Sequence, residues 1–266
     1  MALTAVEFAG VSYALPDGRD GANGRVLLRE IDLKLESGTT TAILGRSGSG
    51  KTTLLRMVNG LVLPTSGTVF VAGKSTLDYD IVELRRGIGY VIQETGLFPH
   101  MTVERNAALA LELAGTSDPE REHRTAEVMA LAGLDFAEFR ARFPWQLSGG
   151  QRQRVGLARA LAADPGILLM DEPFGALDPL TRAEMQTMLR DLLKRVGKTV
   201  LLVTHDLDEA LYLAQRVIFL EAGEVVADLA TKDVLESQNP HVRGYVNAVH
   251  RLPPDSHKGT PSEKAN

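Results

Sequence analysis

The sequence predicts an α/β fold built on a parallel sheet, and three observations carry that prediction. Ile167-Leu168-Leu169-Met170 and Val200-Leu201-Leu202-Val203 are continuous apolar runs bounded by loops, as strands buried on both faces of a parallel sheet are. Thr41-Ala42-Ile43-Leu44 is a third such run, and it feeds a glycine-rich turn and then a helical stretch at 52–59. Strands and helices keep alternating around these runs, which indicates a layered α/β core.

The remaining elements follow along the chain. Val6-Glu7-Phe8 and Ile31-Asp32-Leu33-Lys34-Leu35 alternate apolar and polar residues, the pattern of half-buried antiparallel strands. Between them, 16–24 is rich in Gly, Asp and Pro and is expected to be a flexible loop. Val69-Phe70-Val71 and Gly89-Tyr90-Val91-Ile92 add further strands. From about 94 to 165 the strand-like runs stop, and Ala, Leu, Glu and Arg recur at helical spacing, as in 106–114 and 124–132. This stretch is expected to be a helical subdomain inserted into one domain spanning 1–251. The polar, Pro-containing stretch 252–266 is expected to be a disordered tail.

Composition bounds the function. The chain has 266 residues, 44% of them hydrophobic, enough for one large core. A net charge of −5 leaves no broad basic face, so nucleic acid is not an expected partner. With no cysteine, disulfides and thiolate metal sites are excluded. The first residues lack the basic and apolar regions of a signal peptide, and no apolar run approaches the ~18 residues that cross a bilayer. The expectation is a cytosolic protein that meets any membrane through a partner.

Two motifs point to nucleotide chemistry. Gly45-Arg46-Ser47-Gly48-Ser49-Gly50-Lys51-Thr52 fits G-x-x-x-x-G-K-[ST] and sits between strand and helix, where its mechanism requires it. Glycines let backbone N–H groups turn toward phosphate oxygens, and the helix start adds its positive dipole end. Lys51 is expected to reach the β and γ phosphates, Thr52 to ligate Mg²⁺, and Thr53 to complete the cradle. A chance match in a chain this long is roughly a 1% event from average residue usage. The run 167–170 then ends in Asp171-Glu172, two acids at the carboxyl end of a parallel strand, where ligands bind in such sheets. Asp171 is placed to hold Mg²⁺ and Glu172 to polarise a water. A helix cap or turn would also explain two acids before Pro173, but the upstream phosphate loop favours catalysis.

Leu147-Ser148-Gly149-Gly150-Gln151, just before the acidic strand, resembles the LSGGQ signature of ABC ATPases. It is physically a second anion-binding helix start: a Ser cap, two open glycines, then a helix from Gln151 to Ala163. The resemblance covers nearly the whole chain, from about Val6 to His241. It implies a P-loop NTPase of ABC type with a RecA-like parallel-sheet core, an antiparallel β subdomain and a helical subdomain. It also implies ATP and Mg²⁺ as ligands, and a dimer in which Ser148, Gly149, Gly150 and Gln151 of one subunit face the phosphate loop of the other. Gln93 matches the Q-loop that contacts Mg²⁺ and the lytic water. Asp178, in Gly175-Ala176-Leu177-Asp178, matches the D-loop at the subunit interface, and His205 matches the switch histidine on the γ-phosphate. Where the family places an aromatic residue against adenine this chain has Leu15. Tyr13, two residues earlier on the same strand face, is the other candidate.

DNA-repair members of the family insert a long coiled coil before the signature, and ribosome-acting members carry two cassettes. Neither feature is present between Lys51 and Leu147 or beyond, so a transporter motor is the favoured reading over a soluble ATPase. The texts 89–103 and 168–182 closely resemble ATPases of quaternary-amine osmoprotectant importers (glycine betaine, choline, carnitine). ATPases of other amine or lipid transporters stay open as alternatives. The implied partners are a second ATPase subunit, transmembrane permeases and, indirectly, a substrate-binding protein, with the chain at the cytoplasmic face of the inner membrane. Leu97, Phe98 and Met101 are candidate anchors for a permease helix, although packing within the subdomain explains them nearly as well. Trp145 is expected to pack inside the subdomain. Members of this importer group often end in paired CBS modules. The stretch after Gly223 is too short for a pair, so that sensing device is not expected.

Overall fold

Apolar residues that repeat every second position divide the molecule into layers, and a computed structural model describes residues 3–15 and 25–249 of them. The predicted loop at 16–24 and the predicted tail at 252–266 lie outside the described residues. Strands β1 (Thr4–Ala14) and β2 (Val26–Glu36) pair antiparallel, with Phe8 opposite Leu33 and Val11 opposite Ile31. Strand β3 (Thr40–Leu44) is buried at every position and runs into the phosphate-loop text, after which helix α1 (Lys51–Val58) begins. Strand β4 (Ser66–Val71) returns to the other edge of β1, and β5 (Lys74–Ser75) pairs with it. Helix α2 (Ile81–Arg86), whose first turn is capped by the Asp80 carboxylate, leads into β6 (Ile88–Val91).

Only helices follow up to residue 161 among the assigned elements. They are α3 (Val103–Ala114), α4 (Asp118–Leu131), α5 (Phe136–Phe139), a 3₁₀ turn at Pro144–Gln146, and α6 (Gly149–Leu161). The chain then alternates: β7 (Ile167–Asp171), α7 (Pro179–Val196), β8 (Thr199–Thr204), α8 (Leu207–Leu213), β9 (Arg216–Glu221), β10 (Glu224–Ala230) and α9 (Pro240–Val249). The second sheet has the order β10-β9-β3-β8-β7-β6, and its strands are parallel except for the β9-β10 hairpin.

This sheet is buried on both faces, and the period of two shows which residue goes where. Ile43, Leu169, Leu201 and Val203 pack with α1 and the antiparallel sheet. Leu168, Met170, Val200 and Leu202 point the other way, toward α3, α6 and α7. A third group, built on Leu44, Val217 and Phe219, lies under α8 and α9. Because β3, β6, β7, β8 and β9 all run the same way, the loops after them open on one edge of the sheet. Gly45, Gln93, Glu172 and His205 are all delivered there.

The structure corrects two details. Strand β1 ends at Ala14, so Leu15 is not part of it and does not share a strand face with Tyr13. Trp145 does not pack inside the helical region: it is 73% exposed and stacks only on Phe143, at 6.2 Å between ring centres. A stacked neighbour and an apolar body satisfy a tryptophan without full burial.

Candidate active site

The phosphate loop closes tightly over the end of β3. Gly48 and Gly50 adopt φ of +80° and +102°, a region that a side chain disfavours. A Cβ on Gly45 would collide with the carbonyl oxygen of Leu220, and one on Gly50 would sit 2.6 Å from Leu28 Cδ2. The Ser49 N–H donates to the Arg46 carbonyl at 3.2 Å, which makes the turn, while Arg46, Ser47 and Gly48 are exposed at its rim. Lys51 is 5% exposed, and its ammonium donates to the carbonyls of Gly45 (2.8 Å) and Arg46 (3.0 Å). Burial lowers its pKa, and the negative charges of Glu172 and Asp171 act in the opposite direction. A cation so held, at the N-terminus of α1, gives the loop the electrostatics of an anion site.

Thr52 and Asp171 are in direct contact: the threonine hydroxyl donates to Asp171 Oδ1 at 2.8 Å, and Asp171 is 2% exposed. Its other oxygen is also occupied. The Tyr90 hydroxyl donates to Oδ2 at 3.3 Å and accepts from Arg56 Nε at 3.3 Å, and an Arg56 terminal nitrogen lies 3.9 Å from Oδ2. Burial raises the Tyr90 pKa, so its proton is available to donate. Sequence reading missed both residues. Arg56 had a signal, since it lies four residues after Thr52 on the same helix face.

Glu172 follows at φ +44°, a left-handed conformation that a glutamate adopts only when its surroundings hold it. Its N–H donates to Val203 O at 2.9 Å, which ties the turn to the neighbouring strand. Its carboxylate oxygen Oε2 accepts from Gln93 Nε2 at 3.3 Å, and His205 Nδ1 lies 3.3 Å from the same atom. Three residues from the ends of β6, β7 and β8 thus meet at one oxygen. The structure brings together Lys51, Thr52, Gln93, Asp171, Glu172 and His205.

The signature residues form a separate centre. Ser148 caps α6: its Oγ accepts from the Gln151 N–H at 3.2 Å, and Gln151 Oε1 accepts from the Ser148 N–H at 2.9 Å. A Cβ on Gly149 would lie 3.4 Å from Leu177, and one on Gly150 would lie 2.7 Å from Thr181. Asp178 caps α7 by accepting from the Thr181 N–H at 3.1 Å, and its bonds with Thr181 lower its pKa. Among the described residues, none of the hydrogen bonds joins Ser148–Gln151 to the 45–53 loop. Tyr13 is half-buried and packs on the core behind the phosphate loop. Its cross-strand partner is Leu28, the residue against Gly50. Leu15 is 41% exposed.

A glycine-rich strand-loop-helix turn around Lys51, an acidic strand end and a carboxylate met by Gln93 and His205 fit one class: a nucleotide-dependent phosphohydrolase cassette on an α/β sheet. The chain matches the family profile described as ABC transporter over residues 28–175, and it belongs to that family. It is 45% identical over 214 residues to the choline transport ATP-binding protein of Bacillus subtilis, covering 80% of this chain and 56% of that one. It is 48% identical over 221 residues to the glycine betaine uptake system ATP-binding protein of Escherichia coli, covering 83% and 69%. The chain thus spans little more than half the length of the Bacillus relative. Among solved structures it resembles the dimeric ATP-binding cassette MJ0796 in a post-hydrolysis state bound to ADP and Pi. The TM-score is 0.75 with 36% identity, covering 85% of this chain and 98% of that one.

Proposed function

We propose that this chain binds and hydrolyses ATP to drive an ABC importer of quaternary-amine osmoprotectants. The observation that carries the chemistry is the meeting of Gln93, Glu172 and His205 at one carboxylate oxygen, beside the Lys51 loop and the Thr52–Asp171 pair. Lys51 exchanges its carbonyl partners for the β and γ phosphates, where a charge-assisted bond is stronger. Arg46, Ser47, Gly48, Ser49, Gly50 and Thr53 complete the cradle. Glu172 takes the proton of the attacking water, which bonds to the γ-phosphorus as the bond to the bridging oxygen breaks. His205 contacts the γ-phosphate, and Gln93 orients the water. The donor set fits Mg²⁺: Thr52 and Asp171 offer hard oxygens, and Gln93 can add a third. When bound, the ion neutralises charge developing on the phosphates.

The site is completed by a second copy, whose Ser148, Gly149, Gly150 and Gln151 face the γ-phosphate and whose Asp178 lines the interface. The separate placement of the signature helix start supports this. Tyr13 is the adenine contact favoured by its position opposite Leu28. Residues 1–251 act as one domain, with 94–165 as its helical part. No helix among the described residues is long and apolar enough to cross a membrane. On this reading, which rests on the transport ATP-binding proteins it resembles, the chain works at the cytoplasmic face of the inner membrane through permease subunits, which receive solute from a binding protein.

Of the expected docking anchors, Leu97 packs on the helical core, Met101 is half-buried, and Phe98 is 41% exposed with its edge on His100. A better seat for a permease helix is the apolar cleft of about 770 Å³ between α2 and α3, lined by Val82, Tyr90, Ala110, Leu113 and Ala114. The relatives' names support the cargo. Reconstitution with the neighbouring permease and binding protein tests both claims. Glycine betaine, choline or carnitine should stimulate hydrolysis, and Glu172→Gln should abolish it while trapping an ATP-bound dimer. Stimulation only by another solute or by lipid would refute the cargo, and near wild-type hydrolysis by the variant would refute the chemistry.

A further inference from the structure

Asp171 has two carboxylate oxygens, and they face different parts of the protein. Oδ1 accepts from Thr52 in the phosphate loop. Oδ2 accepts from Tyr90, which in turn accepts from Arg56. The Tyr90 hydroxyl thus reaches a carboxylate that is almost fully buried, and Tyr90 is also one of the residues that line the α2–α3 cleft. Tyr90 is also only three residues before Gln93, on the strand that leads to it. No other described side chain hydrogen-bonds Oδ2, although Arg56 approaches it at 3.9 Å.

We propose that Tyr90, supported by Arg56, is a positioning residue that holds Asp171 in the orientation its metal requires and passes occupancy of the α2–α3 cleft to that site. The inference rests on the reading of Asp171 as the Mg²⁺ holder. The Thr52 hydroxyl donates its proton to Oδ1 and keeps its lone pairs free for an ion, so it can hold Asp171 and ligate at once. The bond from Tyr90 fixes the other oxygen, from the sheet side. It keeps Oδ2 occupied and Oδ1 turned to the phosphate loop. A body inserted in the cleft bears on Tyr90 and so on this bond.

The test uses Mg²⁺ itself and the absence of cysteine from the chain. Affinity for ATP is measured by competition with a fluorescent analogue across a Mg²⁺ titration, alongside hydrolysis. Tyr90→Phe keeps the ring and loses the bond. It should shift the Mg²⁺ midpoint of binding up by on the order of threefold to tenfold, the scale of one hydrogen bond. Affinity without Mg²⁺ and the rate at saturating Mg²⁺ should stay near wild type, a split that general destabilisation does not give. Ala110→Cys labelled with a bulky maleimide should move the midpoint in the same direction with Tyr90 present and have no further effect in Tyr90→Phe. Asp171→Asn is the control for the underlying reading. If it leaves the Mg²⁺ dependence intact, Asp171 is not the holder. If it removes that dependence while Tyr90→Phe matches wild type, or if the wedge acts equally without the hydroxyl, the positioning role is overturned.

Discussion

Glu209 offers the sharpest quantitative test of the electrostatics around this site. It lies on α8, four residues after His205, and is 5% exposed. Burial pushes its carboxyl up to about 8. The charges of Asp206 and Glu172 add to the shift, while a bond from the Thr204 hydroxyl and the charge of Arg182 on α7 oppose it. One of its oxygens, Oε1, has no hydrogen-bond partner. A carboxyl whose folded-state value is raised favours the folded state while it is protonated. Full stability is therefore present below about pH 4.5 and is lost as pH rises through 8. At about 1.4 kcal/mol per pKa unit, the penalty is on the order of 3 kcal/mol at pH 7 and on the order of 5 kcal/mol above pH 8. Glu209→Gln keeps the shape and the Thr204 contact but cannot ionise. Urea unfolding followed by far-ultraviolet dichroism, at pH 5 to 8.5, should show the variant gaining on wild type steadily across the range. Parallel pH profiles for the two proteins would mean that Glu209 is ionised and accommodated in the fold, and the reasoning would fail.

Two further outcomes test the assembly and the base contact. Chains carrying Ser148→Arg and chains carrying Lys51→Ala, each inactive alone, should regain hydrolysis on mixing, because a mixed dimer holds one intact composite site; silence of the mixture at concentrations where dimers sediment would contradict a two-chain site. Tyr13→Ala should weaken ATP binding by roughly 1 kcal/mol, the scale of an aromatic stacking contact, and Leu15→Ala should change it little; calorimetry giving the reverse order would move the contact to Leu15.

The strands that carry the site were legible because burial on both faces leaves no polar position to blur them: β3, β7 and β8 are buried throughout. The phosphate loop and the signature were legible because each requires glycine at fixed offsets. Helix α7 was not singled out, although Met185, Leu189, Leu192 and Leu193 are its buried residues and fall at helical spacing. Its first residues, from Pro179, belong to the motif text 168–182, which masks the helical periodicity that follows. The hydrogen-bonded pair behind Asp171 was only half legible. Arg56 shares a helix face with Thr52, but Tyr90 sits on another strand, and only the parallel order β6-β7 and the packing of α1 against the sheet bring the three together. Trp145 went wrong for a simpler reason: apolar character alone does not say which residues are inside.

The geometry also explains how two distant centres in one chain can act together. Helix α6 begins at the signature, where Gly149 and Gly150 lie against Leu177 and Thr181 beside Asp178. Farther along, Gly156 lies against the backbone of Thr95, and Arg159 donates to the carbonyls of Thr95 and Gly96, each at 2.7 Å. Arg159 is held in a site where burial lowers its pKa, so those two carbonyls are what compensates its charge. Thr95 and Gly96 both have positive φ, +54° and +53°, which marks a sharp bend just after Gln93. A displacement of Ser148 that carries α6 as a rigid rod must therefore either break two charge-assisted bonds or move the bend. Breaking them would leave a half-buried guanidinium without those two acceptors. Moving the bend is the lower-energy course, and it acts two residues from Gln93, whose amide donates to the Glu172 oxygen. On the proposed reading, in which a second copy meets the signature and Glu172 is the hydrolytic carboxylate, one helix and one arginine link the two.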